Sequence, residues 1–191
     1  MHNLTKTLLL PLLVLALHTA AIAEEKAPGP PTSAGEVADR QLSIVESELV
    51  PLVEAMPEDK LDFKPAGEGF KESRTFRQQV GHVAGSLHVF GAALLGEDTK
   101  KLAPDEDNGP ATLKTKAALV AYLKDAFAHA HKGARAITDA NLLQVVEPGP
   151  GFKISRLGLA SLMTWHSFDH YGQLVVYFRL NNLVPPASRK G

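Results

Sequence analysis

Apolar residues recur along this chain at the three- and four-residue spacing of a helix in four separate stretches, each fenced by proline, glycine or polar runs. Ser33 with Glu36 three positions on has the form of a capping box, which predicts a helix start. The stripe Val37, Ile44, Val45, Leu49, Leu52, Val53 and Met56 follows, and Pro57 ends it. Pro51 falls inside this stripe and predicts a kink or an early break. Residues 57–74 hold Pro65, Gly67 and Gly69 and read as loop, with a short turn over Glu58 to Leu61. Thr75 caps a second helix to about Leu95, with Phe76, Val80, Val83, Leu87, Phe90 and Leu94 inward.

Gly96 to Pro110 is a polar crossover with an acidic cluster (Asp105, Glu106, Asp107) that reads as solvated loop. A third helix is expected over about Thr112 to Ile137, with Leu113, Ala117, Val120, Leu123, Phe127, Ala130 and Ala134 inward. Leu142 to Ser155, containing Pro148-Gly-Pro-Gly151, reads as a second connection. The fourth helix runs from Arg156 to about Asn181, presents Leu159, Leu162, Met163, Phe168, Leu174, Val175 and Phe178, and stops before Pro185-Pro186. Four long helices without strand-like alternation or repeats predict an all-α, four-helix bundle with long crossover loops over residues 34–188.

The N-terminus changes the picture of where the chain works. Lys6, the apolar run Leu8 to Leu17 and the A-x-A box Ala21-Ile22-Ala23 have the form of a secretory signal cleaved before Glu24. Residues 24–33, rich in proline, then form a flexible mature N-terminus, and a periplasmic or secreted location is expected. Export invites disulfides, yet the chain has no cysteine, so stability rests on a core and on any bound metal. The net charge is −1, and losing Lys6 makes it only one unit more negative. That balance offers no footprint for nucleic acid, and no membrane attachment is expected after cleavage.

The candidate chemistry is carried by histidine. His166 and His170 lie four apart in the fourth helix, about 40° apart on one face and one turn above the other. The chain has eight histidines, so the pair alone carries little. His82 in the second helix supplies a third imidazole, and three imidazoles from two helices leave coordination positions open, the pattern of a catalytic metal site. His88, six residues from His82, points away, and His129 and His131, two apart, cannot both join one site.

This order of histidines, followed by Tyr171-Gly172-Gln173 and the block Tyr177 to Ser188, resembles the DinB-like (DinB/YfiT) superfamily of metal-binding four-helix bundles. The resemblance covers roughly Ala34 to Ser188 and implies that His82, His166 and His170 ligate a divalent metal. It also implies a homodimer as a common assembly. Imidazole-only ligation suits a divalent transition metal, Zn²⁺ or Ni²⁺ first, then Cu²⁺ or Fe²⁺, and is a poor match for Ca²⁺ or Mg²⁺.

On the same helix Gln173 and Tyr177 fall within about 20° of the histidine face and Asp169 about 60° to its side, making these three the candidate catalytic groups. Trp165 and Tyr171 read as packing residues. The expected function is that of an exported metal-dependent hydrolase or transferase, of the thiol type among others, acting on a small molecule. The alternative is a non-enzymatic metal-binding or stress-related module of the cell envelope.

Overall fold

The computed structural model describes residues 29–102 and 107–189. The signal and its cleavage point, residues 1–23, lie outside them, as does half of the expected flexible segment, residues 24–28. The described residues from Pro31 onward cluster as one compact unit.

Four long helices make the frame: α1 (Ala34–Ala55), α2 (Phe76–Leu95), α4 (Lys116–Arg135) and α5 (Arg156–Leu180). A four-residue helix, α3 (Thr99–Leu102), sits in the crossover after α2. Each long helix starts at a hydroxyl cap. Ser33, Thr75, Thr115 and Ser155 accept from the N–H three residues on, and Thr75 with Gln78 completes a reciprocal capping box. These caps satisfy amides that the first helical turn leaves without partners, which is why the four starts sit where they do. The third helix begins at Lys116, later than expected, because Thr115 and not the residues around Thr112 caps it.

Pro51 neither ends nor breaks α1, which continues to Ala55. The amide that Pro51 lacks would have bonded the Ser47 carbonyl, and Ser47 is exposed, so water can take the acceptor.

The core runs along the shared axis, with Leu42, Leu49 and Val53 of α1, Val80, Val83 and Leu87 of α2, Leu119, Leu123 and Phe127 of α4, and Leu159, Met163 and Phe178 of α5 all fully or almost fully buried. Four residues read as inward turn out otherwise. Val37 is 41% exposed, Ile44 57% and Phe168 36%, and Ala117 faces solvent while Leu119 takes its place. The packing selects Ala38, Leu42 and Val45 in α1, Ala38 and Val45 each one residue on from Val37 and Ile44. Trp165, expected to pack, is 58% exposed. Tyr171 does pack against the core, and its hydroxyl donates to Glu48 Oε2 at 2.7 Å, tying α5 to α1.

The principal neighbours of α1 are α4 and α5, and those of α2 are also α4 and α5. Consecutive helices α1 and α2 therefore lie on opposite corners of the bundle, as do α4 and α5. A diagonal link must cross a bundle end, which explains the long 56–75 connection and the length of the segment before α5. That last segment is not plain loop. Val145–Gly149 (β1) and Phe152–Ser155 (β2) form an antiparallel hairpin, Val146 opposite Ile154, that turns through Gly151 at φ +76°. Its Pro-Gly-Pro-Gly tip reads as coil because the flanking strands are only a few residues long.

Candidate metal centre

The contact between α2 and α5 sets the site. His82 enters from α2, and His166 and His170 enter from successive turns of α5. The ring centroids are 5.2 Å apart for His82–His166, 4.9 Å for His82–His170 and 4.5 Å for His166–His170. One ligand nitrogen from each lies within 4.8 Å of the other two, and among the described residues this is the one such group of three. Small ring rotations bring nitrogens at that spacing to a single ion at about 2.0–2.1 Å from each.

The ring nitrogens divide cleanly. His82 Nδ1 donates to the Asp107 carbonyl at 2.8 Å and faces Asp107 Oδ1 at 3.0 Å, which assigns the proton to Nδ1 and the lone pair to Nε2. The other Asp107 carboxylate oxygen accepts from Arg74, whose Nε also donates to Asn108 Oδ1 at 2.8 Å. Such a carboxylate behind an imidazole fixes its orientation and raises its basicity toward a metal. His166 Nε2 and His170 Nδ1 are buried and have no hydrogen-bond partner. Buried polar atoms are nearly always satisfied, so two on adjacent rings fit a missing common ligand.

Burial, reinforced by His166 and His82, pushes the His170 imidazolium down to about 4. Burial first, and then His82, lowers His166 too. Both rings are therefore neutral at neutral pH and offer lone pairs. Three imidazole donors, two of them with a buried nitrogen lacking any partner, fit a divalent transition metal and match no hard cation.

The other candidates from α5 are placed nearby but differently engaged. Asp169 is exposed and accepts from Gln173 Nε2 at 3.0 Å, while Gln173 Oε1 accepts from the buried Gln79 Nε2 at 2.7 Å. Tyr177 is buried, donates to the Arg74 carbonyl at 3.1 Å and meets Phe63 edge-on at 6.0 Å. Its burial raises the phenol above the usual range.

Asp107, Arg74 and Gln79 carry no signal in the sequence: an acidic loop residue, a loop arginine and a polar residue on an apolar helix. Their placement is tertiary. Gly81 lets the crossover lie against α2, since a Cβ there would stand 2.2 Å from the Asn108 carbonyl oxygen. That close approach delivers Asp107 to His82. A polar groove of about 430 Å³ opens beside it, lined among others by Lys64, Lys71, Arg74, Gln78 and Asp107.

The sequence model of the DinB superfamily matches residues 41–174, a span that includes all three histidines. Among solved structures, a DinB-like protein, YjoA from Bacillus subtilis, is 19% identical, covering 78% of this chain and 93% of its own at a TM-score of 0.57. YfiT from Bacillus subtilis, described as a probable metal-dependent hydrolase with an unusual four-helix bundle topology, is 22% identical. That alignment covers 82% of this chain and 94% of YfiT at a TM-score of 0.55. No curated protein matches the chain. With four long helices of DinB-like fold and a family match over most of the bundle, this chain belongs to the DinB superfamily.

Proposed function

We propose that His82, His166 and His170 hold one divalent transition metal, Zn²⁺ or Ni²⁺ before Fe²⁺, and that the protein is a metal-dependent hydrolase or transferase of a polar small molecule. The observation that carries this reading is the convergence of three imidazoles whose buried nitrogens on α5 have no partner. The description of YfiT as a probable metal-dependent hydrolase supports the same class.

A divalent ion in an all-imidazole site keeps its full charge and supplies Lewis acidity to a water and to a substrate oxygen. Around it, the chain's own groups divide the work. Asp107 holds His82 in one tautomer and one orientation. Gln79 and Gln173 hold Asp169, an exposed carboxylate on the histidine helix that can take a proton. The groove lined by Lys64, Lys71 and Arg74 offers a polar substrate a cationic seat next to the Asp107 segment that holds His82. Tyr177, committed to the Arg74 carbonyl, serves the frame and not the proton transfers.

Metal analysis of protein purified from its own host tests the site. One equivalent of a transition metal is expected, falling at least tenfold in His82→Ala, His166→Ala or His170→Ala with the helical circular dichroism intact. Full metal content in any of these variants would overturn the assignment. Turnover of an ester, amide or thiol panel by the loaded protein, lost in Asp169→Asn with metal retained, separates the enzyme from a passive metal-binding module.

A further inference from the structure

Among the described residues, four buried side-chain nitrogen or oxygen atoms lack a hydrogen-bond partner, and all four are imidazole nitrogens. Two belong to the three-histidine centre. The other two are His88 Nδ1 and His129 Nδ1, on rings that lie side by side with centroids 5.6 Å apart and planes tilted by 44°.

The backbone explains why these rings meet. A Cβ on Gly91 would stand 3.1 Å from the His129 carbonyl oxygen, and one on Gly133 would stand 3.0 Å from the Gly91 carbonyl oxygen. Glycine at both places lets α2 and α4 touch, one turn from His88, and the two imidazoles fill the space beside that contact.

Each ring is also backed by a carboxylate. His129 Nε2 donates to Glu97 Oε2 at 2.9 Å, and His88 Nε2 lies 3.6 Å from Asp125 Oδ2. At His129 the Glu97 hydrogen bond draws the proton to Nε2 and leaves the lone pair on Nδ1. His88 is only 7% exposed and is covered by the Tyr122 ring at 5.1 Å. His131, two residues along α4, shows that this is not a general property of histidine here. Both its nitrogens are partnered, by Asp39 at 2.6 Å and Glu46 at 3.0 Å.

We propose that His88 and His129 form a second, separate metal site that takes a monovalent, two-coordinate ion, Cu⁺, through their Nδ1 atoms. The donor count selects the ion. No third histidine or carboxylate converges with these two among the described residues, and an ion needing four ligands would have to find them in a buried space. Cu⁺ is satisfied by two nitrogens in line, and imidazole suits copper. Glu97 and Asp125 behind the rings favour a cation over an uncharged occupant.

The test uses the full chain carrying His166→Ala and His170→Ala, which removes the first site and leaves this one untouched. Cu⁺ is titrated anaerobically against a colorimetric Cu⁺ chelator. One equivalent is expected to be withheld from the chelator, with affinity at least tenfold weaker when His129→Gln is added.

Because His88 is buried and its replacement could unfold the bundle, imidazole NMR of the background variant provides a second reading. The His88 and His129 signals should shift on adding one equivalent of Cu⁺, and those of His131 should not. Complete removal of copper by the chelator, unchanged binding in His129→Gln, or unmoved signals would overturn the site and leave a water-bridged pair. None of these outcomes touches the three-histidine reading, two of whose ligands are absent from this background.

Discussion

At the scale of single residues, the site depends on one loop carboxylate as much as on its helical histidines. Asp107 holds His82 Nδ1 while Arg74 holds Asp107, so the His82 lone pair is aimed before any ligand arrives. Loss of such support costs about 10- to 100-fold in metal affinity in comparable sites. Asp107→Asn is expected to fall in that range in a chelator competition, with unchanged helix content; unchanged affinity would mean that the Asp107 backbone carbonyl, which asparagine keeps, is enough to orient the ring.

The same cluster sets a pH dependence in the metal-free protein. Burial holds His170 at about 4 against an ordinary 6.5, so its charged form is disfavoured in the folded chain. Protonation then favours unfolding. Stability present above pH 6.5 is lost as the pH falls toward 4, where the folded ring itself titrates. Urea unfolding across that window should show a slope that His170→Ala flattens.

At the scale of elements, caps and glycines act at specified points. The four hydroxyl caps fix where the long helices start, and the contact at Gly81 fixes how close the crossover comes. Gly81→Ala would place a methyl group 2.2 Å from the Asn108 carbonyl oxygen, so backbone must move. An overpacking cost of about 1–3 kcal/mol is expected in urea unfolding. Metal affinity should weaken in parallel, because the displaced segment carries Asp107. Stability and affinity both at the unsubstituted level would show that the loop yields freely.

At the scale of the whole molecule, two diagonal connections make this bundle, and they place α5 against α2 instead of α4. That choice puts the His166 and His170 face opposite His82, and leaves His88 and His129 to meet at the α2–α4 contact. None of the described helices is long and apolar enough to cross a membrane. The proposal of export rests on residues outside the described ones. Intact-mass spectrometry of the native protein is expected to find Glu24 at the N-terminus, and a product retaining residues 1–23 would refute cleavage.

The four helices, the Ser33 and Thr75 caps and the His166/His170 pair are legible in the sequence because they are local facts: periodicity, a hydroxyl at the right offset, a four-residue spacing; His82 joins the pair only through the family resemblance. A stripe shows that a helix has an inward face, but its edges depend on the neighbour it meets. Hence Val37, Ile44, Ala117 and Phe168 fall outside the core while Leu42 and Leu119 fall within it. The hairpin at 145–155 escapes because its strands are too short to alternate visibly, and pairing between them is not a property of either one. Asp107 escapes because an acidic loop residue has no period. Only the fold brings it to His82, through a backbone approach that Gly81 permits, and only the diagonal topology decides which imidazoles share a space.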